Sequence, residues 1–347
     1  MYWVWKLERE LNFEMQNLIE KNLYKKSFLS FLLWPLSIIY SCILVLRRKL
    51  HSKGYRSRCK IISVGNIVSG GSGKTPVTIF LAKHLQKQGK KVAVSHRGYK
   101  GKFEKENKLI SDENEVFKFA KNAGDETFLL ANKLTGIPVI AGRDRKRSIQ
   151  ILEEKYPDLE YIILDDSFQH LKVQHDYDFV IFNAIGGIGN GFVLPSGILR
   201  EPLSALKYTD YIVFNGKGKI PDKIQKYDKP ILKGYYQIKR FSDINEKEVK
   251  PEGKLALLSG IGLPASFENT IHKAGLHFEK HFYFPDHYDF KNNDIIKQIS
   301  ADVMLEQIDF LLTTEKDFAK LQFIEHDLPL IIVEVEFVLE NIKEFEL

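Results

Sequence analysis

Short runs of Val, Ile and aromatic residues alternate with longer mixed stretches through the middle of the chain. Such runs are typical of strands buried on both faces, and they occupy residues 59–66, 90–96, 137–142, 161–166, 178–183 and 210–215. Helical patterns separate several of them, at 74–89, 115–134 and 145–155. Because parallel strands need crossover connections, this alternation predicts an α/β fold with a mostly parallel sheet covered on both faces.

The composition changes at residues 216–234, which are rich in Lys, Pro and Gly and indicate a boundary between two units. Further strand-like runs follow at 235–241, 254–262, 277–284, 309–314 and 328–337. The 347 residues are enough for two units that each have a core. We therefore predict three parts of the chain: an N-terminal extension over 1–58, a larger α/β unit over 59–232 and a smaller one over 233–347.

An uncharged stretch of 20 residues runs from Ser27 to Leu46. As a helix it would be about 30 Å long, which matches the hydrocarbon core of a bilayer. Pro35, several serines and basic residues on both flanks weaken the spanning interpretation, because they give no clear orientation. Three interpretations stay open: an interfacial helix on anionic lipid, a spanning helix, or a buried helix of a soluble protein. Met15 offers a second start, so residues 1–14 are interpreted as an extension of undetermined role.

The basic excess of the chain lies in this same region. Residues 1–60 contain 12 Lys and Arg against 4 Asp and Glu, whereas the remaining residues contain 39 against 41. The body of the protein is thus slightly acidic, which argues against a nucleic-acid partner. Cys42 and Cys59 have neither metal-binding spacing nor a disulfide framework, which suggests a reducing compartment.

The segment NIVSGGSGKT, residues 66–75, connects the first predicted strand to a helix. Backbone N–H groups converge at such a helix start, and the helix dipole favours an anion there. The glycines permit the tight turn, the lysine reaches the β- and γ-phosphates, and the threonine hydroxyl ligates Mg²⁺. Val68 stands where the strict pattern has glycine. The prediction is a nucleotide site made of Gly70, Gly71, Ser72, Gly73, Lys74 and Thr75.

Two carboxylates, Asp165 and Asp166, directly follow the buried run at 161–164. A carboxylate at the end of a strand beside a phosphate loop is a typical partner of Mg²⁺ and nucleotide. The alternative is an ordinary strand-to-turn cap. Gln169 and His170 come a few residues later and are candidates for orienting substrate or phosphate.

Other polar clusters also follow glycines or strand-like runs. Asp125 and Glu126 come after Gly124, where the alternative role is a helix cap. Asp286 and His287 stand among aromatic residues, where the alternative is a turn with a core histidine. The candidate phosphate-binding arginines, which are alternatively surface or loop charges, are Arg97, Arg143, Arg145 and Arg200.

Taken together, these segments resemble the ordered signature blocks of the tetraacyldisaccharide 4′-kinases, the lipid A 4′-kinases of Gram-negative bacteria. The matching segments, within about residues 25–325, are GNIVSGGSGKTP, SHRGYKG, GDE, GRDR, LDDSFQH, GNGFVLPSGILREP, GIGLPASFENTI, FPDHYDF and LTTEKDFAKL. That family's loop is itself of the GG-x-GKTP kind, so Val68 is compatible with it. His96, Ser167 and Ile198 depart from the usual residues of these blocks, but none is a proposed reacting group.

The resemblance implies a P-loop kinase domain, a smaller α/β domain and a membrane-associating N-terminal helix. It implies ATP- and Mg²⁺-dependent phosphorylation of the 4′-hydroxyl of a tetraacylated glucosamine disaccharide 1-phosphate. The enzyme would act at the cytoplasmic face of the inner membrane, either peripherally or anchored by one helix.

The resemblance also implies roles for individual residues. Asp125 and His287 would form the catalytic dyad, in which Asp125 accepts the hydroxyl proton, and Lys74 would assist at the phosphates. The metal ligands would come from Thr75, Asp165, Asp166 and Glu126. Contacts to substrate or phosphate would come from Arg97, Tyr99, Arg145, Gln169, His170 and Arg200.

Other functions stay open at this point. A membrane-docked P-loop ATPase of the partitioning or positioning class also fits a basic, apolar N-terminus, but such loops carry Lys at the position of Ser69. A GTPase switch would need an Asn-Lys-x-Asp-like segment, for which NGKGK at 215–219 is a poor substitute. Another small-molecule P-loop kinase is the third alternative. No motif indicates the oligomeric state.

Overall fold

The computed structural model describes residues 23–51, 54–71, 73–286 and 288–340. Within these residues the strands join in one sheet of twelve. In chain order they are β1 Lys60–Gly65, β2 Val92–His96, β3 Lys108–Ser111, β4 Val139–Ala141, β5 Tyr161–Asp165, β6 Tyr177–Asn183, β7 Tyr211–Asn215, β8 Ile231–Ser242, β9 Leu255–Ser259, β10 Lys280–Tyr283, β11 Phe310–Thr314 and β12 Leu330–Leu339.

The described helices connect these strands or precede them. They are α1 Phe28–Leu50, α2 Lys74–Lys87, α3 Asp125–Lys133, α4 Arg145–Lys155, α5 Asp222–Gln225, α6 Pro264–Lys273, α7 Asn293–Leu305 and α8 Glu315–Leu321. Short 3-10 turns lie at Ala120–Asn122 and Leu203–Tyr208.

The spatial order of the strands is β10-β9-β11-β12-β8-β7-β6-β1-β5-β2-β4-β3. Neighbours are parallel except at the pairs β3–β4 and β8–β12. The predicted α/β fold with a mostly parallel sheet is therefore confirmed. Because β1, β2, β5, β6 and β7 run in the same direction, the loops after their carboxyl ends meet at one edge of the sheet.

Strand β8 continues the sheet across the predicted boundary at residue 232. It pairs with β7 on one side and with β12 on the other. Phe337 and Leu339 of β12 pack in the same apolar cluster as Val77 and Leu81 of α2. The division into units over 59–232 and 233–347 stays a prediction.

One predicted helix is wrong over its first half. The pattern at 115–134 indicates a single helix, but Val116 bridges to Ser111 and Phe117 N–H donates to the Ile110 carbonyl at 3.0 Å. The helix α3 begins only at Asp125, after Gly124 with φ +90°. Apolar spacing alone did not distinguish a short antiparallel turn from a helix in this stretch.

Helix α1 begins at a capping box in which the Ser27 hydroxyl accepts from Ser30 N–H and the Ser30 hydroxyl accepts from Ser27 N–H. It is long and apolar enough to cross a membrane, and 11% of its most apolar window is buried. This exposure argues against the interpretation of a buried core helix.

One polar face of α1 contacts the body of the protein. The Ser37 hydroxyl accepts from Ser196 N–H at 3.0 Å, and the Ser196 hydroxyl donates to the Ser30 carbonyl. At the other end, Arg48 pairs with Glu201 at 3.0 Å. The remaining faces expose large apolar side chains, among them Phe28, Phe31, Leu32, Trp34, Leu36, Ile39, Ile43 and Leu46.

Candidate active site

The loop between β1 and α2 has the backbone conformation that its glycines allow. Gly70 and Gly73 have φ values of +96° and +85°, which L side chains rarely adopt. A Cβ on Gly73 would also overlap the hydroxyl of Tyr236 from β8. The open N–H groups at the start of α2 therefore face one site, and Lys74 is the first residue of that helix.

Val68 holds this loop against the segment that carries Arg200. It is 7% exposed and forms an antiparallel bridge with Leu199. Ser69 N–H donates to the Ile198 carbonyl, and Arg200 N–H donates to the Ile67 carbonyl, both at 2.7 Å. An apolar residue at position 68 thus anchors the loop and brings Arg200 beside it.

The carboxylate of Asp165 ends β5 beside the loop. It accepts hydrogen bonds from the hydroxyls of Thr75 at 3.2 Å and Thr78 at 3.1 Å. Asp165 is 1% exposed, and this burial raises the pKa of its carboxyl. The Arg145 guanidinium donates to the Asp165 carbonyl and, at 3.1 Å, to the Ser95 hydroxyl.

Asp166 faces the cations of the site. Its Oδ1 lies 3.6 Å from Lys74 Nζ and 3.6 Å from Arg200 Nη1. Burial on its own would raise the pKa of this carboxyl, but Lys74 and Arg200 outweigh that effect and the pKa is lowered. The two neighbouring residues therefore differ: Asp165 is a buried carboxyl bonded to hydroxyls, whereas Asp166 is a carboxylate paired with cations.

Asp125 and Glu126 form the first turn of α3. Glu126 Oε2 lies 3.3 Å from His96 Nε2, and its Oε1 lies 3.0 Å from Lys316 Nζ. Burial opposes ionisation of Glu126, yet Lys316 and His96 hold the pKa of its carboxyl well below the usual range. Since both oxygens have partners, Glu126 would have to exchange one of them to ligate a metal. Asp125 Oδ2 lies 3.7 Å from Lys320 Nζ.

A cavity of about 630 Å³ joins these groups. The residues of the predicted site that line it are Gly70, Gly71, Gly73, Lys74, Thr75, Arg97, Tyr99, Glu126, Asp166 and Arg200. The later part of the chain contributes Ile261, Gly262, Asp286 and Lys316. Asp125 precedes Glu126 in the sequence, but it is not among the described residues that line this cavity.

A second cavity of about 650 Å³ shares Arg97, Asp166 and Arg200 with the first. Basic residues outnumber acidic ones in its wall: Lys105, Arg143, Arg145 and Lys172 add to the shared arginines, against Glu104, Asp144 and the shared Asp166. Gln169 and His170 also line it. Such a wall suits an anionic group, and the shared residues connect that group to the phosphate loop.

The predicted substrate residues differ in how available they are. Arg145 is 2% exposed, and burial lowers the pKa of its guanidinium to about 10. Gln169 Nε2 donates to the Asn66 carbonyl at 2.7 Å. Burial, with the nearby Arg145 charge, lowers the pKa of His170 to about 4. Its Nε2 is buried and has no hydrogen-bond partner among the residues that the structure describes.

Several site residues were not predicted individually. Lys316 and Lys320 lie in LTTEKDFAKL, a segment that the sequence analysis matched to the family without assigning a role to either lysine. Their spacing of four residues is the signal that would place them on one helix face. Tyr236 has no local signal, because only the sheet brings β8 to the phosphate loop. The predicted residues Ser72 and His287 lie outside the described residues.

Comparison with known proteins identifies the family of this chain. A family model described as tetraacyldisaccharide-1-P 4′-kinase matches residues 29–346. Tetraacyldisaccharide 4′-kinases of Halothermothrix orenii and Desulfotalea psychrophila are 32% and 34% identical, over 90% and 88% of this chain and 89% and 92% of theirs. A crystal structure of LpxK from Aquifex aeolicus in complex with ATP is 28% identical with a TM-score of 0.70, covering 91% of this chain and 97% of that one. This chain belongs to the tetraacyldisaccharide-1-phosphate 4′-kinase family.

Proposed function

We propose that this protein transfers the γ-phosphoryl group of ATP to the 4′-hydroxyl of a tetraacyldisaccharide 1-phosphate, a step of lipid A biosynthesis. The observation that carries this proposal is the junction of the two cavities at Arg97, Asp166 and Arg200. A nucleotide on the phosphate loop and an anionic acceptor in the basic cavity would meet there. The family membership of the chain supports the same reaction.

ATP would bind with its phosphates on the N–H groups of residues 70–75. Lys74 Nζ, now 3.6 Å from Asp166, is close enough to the loop to turn toward the β- and γ-phosphates. Arg200 Nη1 lies 3.6 Å from the same Asp166 oxygen and is suited to stabilise charge on the transferred group. The relative from Aquifex aeolicus was crystallised in complex with ATP.

The residues beside the loop fit a Mg²⁺ ion. Thr75 Oγ1 and Asp165 Oδ2 are hard oxygen ligands that already lie 3.2 Å apart, and Asp166 adds a carboxylate. The buried Asp165 carboxyl, whose pKa burial raises, would be stabilised as an anion by a nearby cation. When bound, the ion would neutralise charge on the phosphates.

The acceptor would be activated by Asp125 together with His287. Asp125 stands at the N-terminus of α3, where the helix dipole stabilises a carboxylate, and Glu126 beside it faces the nucleotide cavity. Asp125 would accept the hydroxyl proton, and His287 would orient it or raise its basicity. Gln169, His170 and Tyr99 would contact the sugar or its phosphate.

The acceptor carries four acyl chains, and removing them from a bilayer would cost about 0.8 kcal/mol per methylene. The exposed apolar side chains of α1 would enter the cytoplasmic face of the inner membrane instead. The contacts from Ser30 to Arg48 hold α1 along the body of the protein, which favours an interfacial position over a spanning one. Arg47 and Arg48 donate to the carbonyls of Gln169 and Phe168, so the helix ends beside the basic cavity.

The activity is tested with purified protein in detergent, γ-labelled ATP and a tetraacyldisaccharide 1-phosphate. Label should appear in the lipid, at the 4′-position, only when both Mg²⁺ and the acceptor are present. An acceptor that already carries a 4′-phosphate serves as the matched negative control. Protein that folds and binds ATP but transfers no label to the acceptor would refute the proposal.

A further inference from the structure

Helix α8 carries two lysines one turn apart that contact the start of α3. Lys316 Nζ lies 3.0 Å from Glu126 Oε1 and donates to Asp286 Oδ1 at 2.9 Å. Lys320 Nζ lies 3.7 Å from Asp125 Oδ2 and donates to the Tyr288 carbonyl at 2.8 Å. Each lysine therefore contacts one acidic residue of α3 and one residue next to His287 in the sequence.

Lys320 is held in place from its own helix. Its Nζ donates to Asp317 Oδ1 at 3.2 Å. Asp317 is fully buried and also accepts from Gly260 N–H at 2.9 Å and from the Thr314 hydroxyl at 2.7 Å. A buried carboxylate with three donors is a rigid support, so the Lys320 ammonium has little freedom to leave Asp125 and Tyr288.

Both lysines are largely buried, with side-chain exposures of 17% for Lys316 and 6% for Lys320. A buried ammonium is costly unless it is paired, so each lysine stabilises the arrangement in which both of these contacts are made. Moving Asp286 and Tyr288 away from α3 would take the Asp286 carboxylate from Lys316 and the Tyr288 carbonyl from Lys320. The lysines thus couple two segments that are more than 150 residues apart in the sequence.

We propose that Lys316 and Lys320 are positioning residues that hold Asp286 and Tyr288, the sequence neighbours of His287, in register with Asp125. This inference rests on the proposed Asp125–His287 dyad. The inference goes beyond the dyad itself, because it assigns the alignment of the two dyad residues to the lysines of α8. Lys316 also lines the nucleotide cavity, so Lys320, which does not, allows the cleaner test.

Full-length protein in detergent is compared with Lys320→Ala and Lys320→Arg in the acceptor assay. Misplacement of a base by about 1 Å costs about 10²-fold, so Lys320→Ala should lower kcat about 10–100-fold. The KM values for ATP and acceptor should stay within about 3-fold, since the interaction acts through Asp125 in the transition state. Lys320→Arg should recover most of the rate. Lys297→Ala, an exposed lysine on α7, is the matched control.

A double-mutant cycle with Asp125→Ala separates positioning from a structural role. If Lys320 acts through Asp125, the double variant should be no slower than Asp125→Ala alone. Additive losses, or a raised KM at unchanged kcat, would overturn the inference. Should Lys320→Ala fail to fold, Lys316→Gln must show the loss of kcat with intact binding of a fluorescent ATP analogue. A normal kcat in that variant would also overturn it.

Failure of the inference is distinguishable from failure of the proposed function. An inactive wild-type protein would refute the kinase reaction, and a normal rate for Asp125→Ala would refute the dyad. A normal rate for Lys320→Ala alongside an impaired Asp125→Ala would refute only the positioning role.

Discussion

The Thr75 hydroxyl donates to Asp165 Oδ2 at 3.2 Å, across 90 residues of chain. The contact exists because β1 and β5 are parallel neighbours in which Val64 pairs with Asp165. The helix start after β1 and the carboxyl end of β5 therefore meet at one edge of the sheet. A hydroxyl and a carboxylate so placed can share one cation with a bound phosphate.

The first prediction concerns this pair. Asp165→Asn keeps the size of the side chain but removes its charge, so kcat/KM should fall about 10²–10³-fold and the Mg²⁺ requirement should rise. Initial rates across a Mg²⁺ titration measure both effects. Asp158→Asn, on an exposed carboxylate before β5, should behave as wild type. An unchanged Mg²⁺ dependence in Asp165→Asn would contradict the assignment.

The second prediction concerns the dyad. Asp125→Ala and His287→Ala should each lower turnover at least about 10²-fold, because each removes part of one general base. Single-turnover rates with ATP and acceptor measure the chemical step directly. Asp289→Ala changes an exposed carboxylate two positions after His287 in the sequence and provides the control. Near-normal rates in both dyad variants would remove these residues from the mechanism.

The third prediction distinguishes the two sides of α1. Ile39 is 59% exposed, whereas Ser37 is 3% exposed and bonded to Ser196. A charged side chain is costly to insert into lipid, so Ile39→Glu on the exposed side should weaken binding to anionic vesicles at least about tenfold. Ser37→Ala should leave vesicle binding intact and cost about 1 kcal/mol of stability.

Vesicle sedimentation and thermal unfolding measure these two outcomes. Deletion of residues 1–46 should release the protein from sedimenting membranes altogether. If Ile39→Glu and the deletion both sediment like wild type, α1 is not the membrane-binding element.

The fourth prediction follows from the lowered pKa of His170, about 4, against an ordinary value of 6.5. The unfolded chain binds a proton at higher pH than the folded protein, so stability is lost as the pH falls from 6.5 through 4. The charged groups around this imidazole include Arg145, Lys172, His175 and Asp144.

Thermal unfolding measured from pH 7 to pH 4 tests this dependence. His170→Gln should flatten the decline in melting temperature below pH 6.5, and His277→Gln, at an exposed site, should not. An equal decline in His170→Gln would show that other groups cause it. Between pH 7 and 8 His170 is neutral, so the variant's pH–rate profile should keep its shape in that range.

Much of the fold and of the nucleotide site could be predicted because both depend on local patterns. Runs of Val and Ile predict strands because strands buried on both faces need apolar residues at successive positions. The boundaries of α4 at Arg145–Lys155 also match the prediction. The phosphate loop needs only a strand, glycines, Lys74 and a helix, all within about 25 residues. The first half of the predicted helix at 115–134 is wrong because apolar spacing there is compatible with two local structures.

Local sequence patterns could not predict which distant residues a side chain contacts. Only the structure shows His96 bonded to Glu126. Arg145 is predicted to contact phosphate, and only the structure shows its guanidinium donating to Ser95 and the Asp165 carbonyl. A sequence indicates the charge on a side chain, whereas its burial and partners depend on how distant strands are ordered.

The sequence by itself determined the alternation of strands and helices, the phosphate loop and the apolar basic N-terminus, because each depends on neighbours within a few turns of chain. Only the tertiary structure decided that Asp166 pairs with both Lys74 and Arg200, that Lys320 joins Asp125 to Tyr288, and that α1 docks by its serines. Those contacts join residues that are far apart in the chain. Their energy comes from pairing charges and hydroxyls that the folding of the sheet has already removed from water.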